Sequence, residues 1–194
     1  MFELLLASAS PRRLELLRLI GIEPRVLTLD VPELRGVAES ALEYSRRVAH
    51  AKALAGWEAV GRAANVRVLG ADTEVVLDEQ LLGKPSDAQD ARRMLTALAG
   101  RAHLVMTSVA VVGLDFTAVV TQTSSVEFGP LSARAIEDYV TSGECFGKAG
   151  AYAIQGRAAC FVRTLAGSHS GVMGLPLYET AQLLEQAGCA PRRT

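Results

Sequence analysis

Ser10-Pro11-Arg12-Arg13 sets two guanidinium groups in what reads as the first turn of a helix. A helix N-terminus carries partial positive charge and unpaired backbone N–H groups, so acidic residues are favoured there and arginines are not. Arginines in that place concentrate a site for an anion. Phosphate suits it, because a guanidinium fork binds two oxygens at once. A capped helix with two solvated arginines is the plainer account of the same residues. Asp72 follows the apolar run Val68-Leu69-Gly70-Ala71, and in α/β folds ligands gather at the ends of such strands. A carboxylate there serves as a general base, as a metal ligand, or merely as a turn or cap residue. Thr73 adds a hydroxyl beside it. Lys84, in Gly83-Lys84-Pro85, is either a point charge for phosphate or a solvated loop lysine. Glu33 stands in a loop with Asp30 and Pro32. Lys52 lies in His50-Ala51-Lys52-Ala53-Leu54, where its charge needs a partner or a route to water.

The stretch Gly147-Lys148-Ala149-Gly150-Ala151-Tyr152-Ala153-Ile154-Gln155-Gly156 is rich in small residues that let a ligand lie against backbone. Tyr152 is placed to stack on a ligand or donate to it. Gln155 carries both a donor and an acceptor, as reading a base edge requires. Gly167-Ser168-His169-Ser170-Gly171 is a second permissive loop, leading through Leu175-Pro176 into a helix start. Two tight turns account for these segments equally well. The spacing of a Walker A loop is absent, as is a G-x-G-x-x-G after a strand, an H-E-x-x-H and a serine nucleophile elbow. Covalent serine chemistry and zinc hydrolysis therefore have no support.

Elements must position these residues. Phe2-Glu3-Leu4-Leu5-Leu6-Ala7 reads as a short buried strand, followed by an amphipathic helix with Ser10 as N-cap and Pro11 at its first position. Residues 24–29 read as a strand. Ser40 and Glu43 form a capping box that opens a helix to about residue 59. Residues 67–71 read as a strand ending at Asp72-Thr73, with 75–77 extended beyond it. Ser86 and Gln89 predict a second capping box. Residues 103–113 and 116–128 predict a hairpin, Ser132 a helix cap, and 158–165 a strand. Pro176 starts the last helix and Gly188 stops it. The order is mixed α/β with an antiparallel section, without a linker long enough to separate independent domains.

The 194 residues are 49% hydrophobic and 21% charged, with a net charge of −1. Such a chain buries a core as one domain or two packed lobes, and lacks the basic field of a nucleic-acid binder. The Arg-Arg pairs at 46–47 and 192–193 are too short to be binding tracts. Cys145, Cys160 and Cys189 fit neither a zinc spacing nor an even disulfide framework. No run approaches the roughly 18–20 apolar residues of a membrane helix, and no secretory leader is evident. A cytoplasmic protein is expected.

Five segments in order resemble the Maf family of nucleotide pyrophosphatases. They are Ala7-Ser8-Ala9-Ser10-Pro11-Arg12-Arg13, Gly70-Ala71-Asp72-Thr73, Gly83-Lys84-Pro85, the 147–156 stretch and Gly174-Leu175-Pro176-Leu177. The resemblance implies one domain over 1–194, a two-lobed mixed sheet with flanking helices similar to that of inosine-triphosphate pyrophosphatases, and a ligand cleft between lobes. It implies cleavage of a nucleoside triphosphate to monophosphate and pyrophosphate with a divalent metal, Mg²⁺ or Mn²⁺, and a homodimer without nucleic-acid or membrane partners. By the same resemblance Asp72 is the general base and, with Glu33, a metal ligand. Ser10, Arg13, Lys52 and Lys84 bind the phosphate side. Arg12, Thr73 and Gln155 set specificity and point to the branch acting on dTTP and UTP. The chain departs from the family at Pro32, His169 and Gly171, which bear on metal affinity and fine preference. The same reaction on another base, such as 7-methyl-GTP, and a non-enzymatic nucleotide-binding regulator of septum formation remain the alternatives.

Overall fold

Short apolar runs alternating with capped helices build a mixed α/β fold, and the computed structural model describes residues 2–189. The order is β1 (Glu3–Ala7), α1 (Pro11–Leu19), β2 (Arg25–Leu27), α2 (Ala41–Ala59), β3 (Val66–Leu77), β4 (Gln80–Leu82) and α3 (Ala88–Leu98). There follow β5 (Ala102–Gly113), β6 (Phe116–Phe128), α4 (Ala133–Thr141), β7 (Val162–Ala166), α5 (His169–Met173) and α6 (Leu177–Gln186). Among the described residues the strands form one seven-stranded sheet of order β2-β1-β3-β5-β6-β7, with β4 paired to β3 off that path. β1 runs parallel to both β2 and β3, whereas β4 and β7 pair antiparallel with β3 and β6. No described helix is long and apolar enough to cross a membrane. The Arg192-Arg193 pair lies outside the described residues.

The chain divides into two compact units. One comprises Met1–Asp72, Thr107–Gln122 and Gly174–Thr194, the other Thr73–Met106 and Thr123–Met173. In the first, α2 packs on β3 through small residues. A Cβ on Gly70 would collide with the Ala49 carbonyl and lie 2.5 Å from the Ala53 amide nitrogen. One on Gly56 would lie 2.7 Å from Val68 Cγ1. Residues 68, 70 and 72 alternate onto one face of β3, and this is the face α2 covers. On the opposite face the buried Arg67 stacks over the Phe2 ring, 3.6 Å from its centroid, and donates to the Ala187 carbonyl at the end of α6.

The second unit centres on aromatic packing. Phe128 meets Tyr152, Phe161 and His103 edge to face, within a core that includes Leu95, Leu98 and Ile154. Burial pushes His103 down to about 4, so it is a neutral core histidine at neutral pH.

Most of the expected elements are present, with specific corrections. The capping box of Ser40 and Glu43 is formed in both directions. At α3 the cap moves one residue on: Asp87 accepts from the Asp90 N–H at 2.8 Å, while Asp90 accepts from the Ser86 N–H. An aspartate caps as well as a serine and wins the contest with its neighbour. The strand expected at 24–29 shortens to Arg25–Leu27. The strand expected at 158–165 begins with a 3₁₀ segment, Arg157–Phe161, before β7. The loop expected at 167–174 holds α5, with the Gly171 N–H donating to Ser168 Oγ. Cys145 and Cys189 are buried, Cys160 is exposed, and all are free thiols.

Gly70→Ala tests the packing of α2 on β3. The added methyl group has helix backbone, not a flexible side chain, in its way. A loss of about 1–3 kcal/mol in urea unfolding is expected, and a stability equal to the parent's would contradict the close approach.

Candidate active site

Asp72 does not end a strand. β3 is one continuous strand of 12 residues, because Val75-Val76-Leu77 extend it and find β4 as partner. The expected strand end survives in another form. β1 pairs with β3 only as far as Ala7 opposite Gly70, and the pairing of β3 with β4 starts at Val75, opposite Leu82. Asp72 falls between these registers, just past the C-terminal end of β1, on the face turned to α2.

There it meets Lys52. The Lys52 ammonium donates to Asp72 Oδ1 at 2.9 Å and lies 2.6 Å from Glu33 Oε1. The Asp72 side chain is 7% exposed, Lys52 16% and Glu33 35%, so the cluster opens toward solvent on the Glu33 side. The charge that the alanine-rich helix segment left in need of a partner has two. Asp72 Oδ2 is buried and, among the described residues, has no hydrogen-bond partner. A buried acceptor of this kind costs about 1–3 kcal/mol unless something outside the chain satisfies it.

Glu33 comes from a segment without regular structure, and α2 holds it in place. The Tyr44 hydroxyl donates to the Glu33 carbonyl at 2.9 Å. Arg47 donates to the Leu34 carbonyl at 2.8 Å. Arg47 is itself gripped by Glu39 through two bonds, which hold the Glu39 carboxyl down at about 2.

Arg13 is buried rather than displayed. Its Nε donates to the Gly174 carbonyl at 2.9 Å and one terminal nitrogen to Ser8 Oγ at 3.2 Å. Burial pushes the guanidinium below its ordinary value and the charge of Asp72 opposes that shift; an arginine nonetheless stays protonated. Ser8 is the residue the sequence reading passed over. Its Oγ also accepts the Ser10 N–H at 3.2 Å, a local turn for which a serine two residues ahead was the available signal. Ser10 is the N-cap of α1 by backbone only, since its side chain makes no cap bond. Arg12 is half-buried on the first turn.

The second unit carries Thr73, Lys84 and Gln155. Thr73 is half-buried and Lys84 and Gln155 are exposed. The Gly83 carbonyl accepts from the Gly150 N–H at 3.1 Å, tying the Lys84 loop to the glycine-rich segment. Gly150 has φ +67 and abuts Val75, so both its conformation and its lack of a side chain are needed. Tyr152 does not face a ligand. It is buried, and its hydroxyl lies 2.9 Å from His103 Nε2. His169 begins α5.

Among the described residues no group of three or more His, Cys, Asp or Glu side chains is arranged to hold a metal. Two carboxylates, one with a buried unpartnered oxygen, do fit a hard cation that takes its other ligands from water and substrate oxygens.

The Maf family model, described as "Maf-like protein", matches residues 3–187. A Xylella fastidiosa (strain M23) protein called nucleoside triphosphate pyrophosphatase is 53% identical over 182 residues, 93% of this chain and 96% of that one. A Xanthomonas campestris protein called dTTP/UTP pyrophosphatase is 53% identical over 189 residues, 95% and 98% of the two chains. Among solved structures, the Staphylococcus aureus Ham1 protein aligns with a TM-score of 0.46 at 18% identity, covering 65% of this chain and 71% of that one.

Lys52→Met removes the cation and leaves Asp72 buried against Glu33. The expected loss is about 2 kcal/mol in urea unfolding, less than the ~3–5 kcal/mol of a fully buried pair because the Glu33 side is open to water. An unchanged unfolding midpoint would show that the cluster is not held by Lys52.

Proposed function

The chain belongs to the Maf family, and from that premise we propose that it hydrolyses nucleoside triphosphates, dTTP, UTP and related modified pyrimidine nucleotides, to the monophosphate and pyrophosphate. The names of its relatives support the reaction and the pyrimidine preference. One observation of the chain itself carries the chemistry. Asp72 has one oxygen held by an ammonium and the other buried without a partner.

The division of labour follows from that geometry. Lys52 fixes Oδ1 by its hydrogen bond. Oδ2 is the acceptor that orients a water and takes its proton as the water oxygen bonds to the α-phosphorus, while the α–β phosphoanhydride bond breaks and pyrophosphate leaves with the bridging oxygen. Glu33 balances Lys52 from the other side, so the ammonium is shared and not spent on one carboxylate. Asp72 and Glu33 are the residues that would hold a divalent cation, Mg²⁺ or Mn²⁺, which bound there would neutralise charge on the polyphosphate. Arg13 contributes a fixed, desolvated positive charge and keeps the β1–α1 turn against Gly174. Ser10 and Lys84 complete the proposed phosphate-binding set, and Arg12, Thr73 and Gln155 read the base. Clearing surplus or modified pyrimidine nucleotides in the cytoplasm is the role this activity serves.

Asp72→Asn is expected to lower turnover of dTTP by about 10²–10⁴-fold, the usual worth of a general base, with the fold retained by circular dichroism. Near-normal turnover by the folded variant would remove Asp72 from this role. Activity is expected to vanish in EDTA and return with Mg²⁺ or Mn²⁺; full activity in metal-free buffer would remove the cation from the reading.

Pyrophosphate release from a panel of dTTP, UTP, dCTP, GTP, ATP and 7-methyl-GTP tests the substrate class. The pyrimidines dTTP and UTP are expected to be cleaved best. A best rate on 7-methyl-GTP would keep the reaction and overturn the base preference. Nucleotide binding without release of pyrophosphate from any of them would overturn the reaction itself.

A further inference from the structure

Gln155 is exposed, yet the backbone on either side of it is not left to itself. It occupies a tight turn closed by the Gly156 N–H donating to the Ala153 carbonyl at 3.0 Å. A turn of that kind needs no other support to form. Here it has a second set of bonds. The Ala153 N–H donates to the Tyr139 hydroxyl at 3.1 Å. The Arg157 N–H donates to Glu144 Oε2 at 3.2 Å. The Tyr139 hydroxyl donates to Glu144 Oε1 at 3.0 Å and so joins the two anchors into one unit.

The carboxylate also fits against the turn sterically. A Cβ on Gly156 would lie 2.6 Å from the Glu144 Cδ atom, so Glu144 occupies the space that a side chain there would claim. The pair is itself anchored. Tyr139 is 3% exposed and stacks edge to face on Phe161, with centroids 5.2 Å apart. Glu144 follows α4 directly, and its N–H donates to Ser142 Oγ, whose hydroxyl donates to the Tyr139 carbonyl at 2.6 Å. One rigid group thus grips the residues at both ends of the Gln155 turn.

We infer that Tyr139 and Glu144 are a positioning pair that fixes the Gln155 turn and thereby sets how strongly the protein prefers its base. The inference rests on the proposed role of Gln155 in reading the base. A side-chain amide discriminates bases only if its donor and acceptor are held within about half an ångström of their partners. Gln155 is exposed, so packing does not restrain it, and the restraint has to come through its backbone. The pair makes no claim on the phosphate chemistry, which the proposal above assigns to other residues. Its removal is therefore read in selectivity and in KM ahead of kcat.

The test measures kcat and KM for dTTP and for GTP in Tyr139→Phe, Glu144→Gln and Gln155→Ala, and in each of the first two combined with Gln155→Ala. Tyr139→Phe and Glu144→Gln are each expected to lower the dTTP-to-GTP ratio of kcat/KM by about tenfold, mainly through KM for dTTP. In the Gln155→Ala background neither is expected to lower the ratio further, because the group being positioned is gone. That non-additivity is a result a general loss of stability would not give. Should Tyr139→Phe fail to fold, Glu144→Gln, which keeps the shape and removes the charge, carries the test. If Gln155→Ala lowers the ratio and the pair variants leave it unchanged, the positioning role is overturned and the reading of Gln155 stands. If the pair variants lower the ratio equally with and without Gln155, their effect does not pass through it and the inference is overturned. If Gln155→Ala itself leaves the ratio unchanged, the base-reading role falls and the inference falls with it.

Discussion

A lysine ammonium shared between two carboxylates is the constraint around which the first unit is organised. Taking these charges out of water costs several kcal/mol per ion unless each has a close partner of opposite sign. Lys52 meets the condition at 2.6 and 2.9 Å from two oxygens, and that requires α2 to lie unusually near β3. The sequence arranges it with the smallest side chains available. Gly70 has none, and Ala49, Ala53 and Gly56 face β3 from the helix. A larger residue at any of these contacts would lift the helix, and the ammonium with it, away from Asp72. The hydrophobic packing and the charge cluster are in this sense one design: Val48, Ala49 and Ala53 are fully buried on the same helix that presents Lys52 at its edge.

The two units hold their candidate site residues by different means. In the first, the packed helix α2 carries or anchors the charge cluster. Lys52 is on α2, and Tyr44 and Arg47 of α2 hold the segment that bears Glu33. In the second, the glycine-rich stretch has little regular structure and is fixed by side chains reaching into its backbone. Tyr139 and Glu144 accept from the amides around Gln155, and a backbone bond adds to them, the Gly150 N–H donating to the Gly83 carbonyl next to Lys84. A stretch rich in glycine and alanine can pass close to other backbone, but it cannot fix itself. Its order has to be supplied by neighbours.

The sequence reveals the local features and conceals the distant ones. The capping box at Ser40 and Glu43, the proline at the start of α1, the long β-rich pair 103–128 and the stop at Gly188 depend on neighbours within a few residues, and they are where the sequence places them. The demand of Lys52 for a partner was also readable, since a charge among alanines must find one. Which partner it finds was not readable from spacing, because Asp72 is 20 residues away and Glu33 is brought in by a loop. Tyr152 shows the opposite failure. An aromatic in a glycine-rich run reads as a ligand contact, but its ring completes the packing of Phe128 and His103, and no local pattern reports that. Arg13 shows a contact that no local pattern reports. Of the two arginines at the helix start, one is buried and bonded to Ser8 and to a carbonyl 161 residues away in sequence. The roles proposed for Asp72, Lys84 and Gln155 rest on the ordered motifs shared with the Maf family, not on spacing alone.

An account in which Asp72 reserves one oxygen for water requires that this water end up on the nucleotide. Hydrolysis of UTP in ¹⁸O-labelled water, with the products separated and weighed by mass spectrometry, reads that directly. Attack at the α-phosphorus predicts one labelled oxygen in UMP and unlabelled pyrophosphate. Label in the pyrophosphate, or release of orthophosphate in its place, would contradict the account.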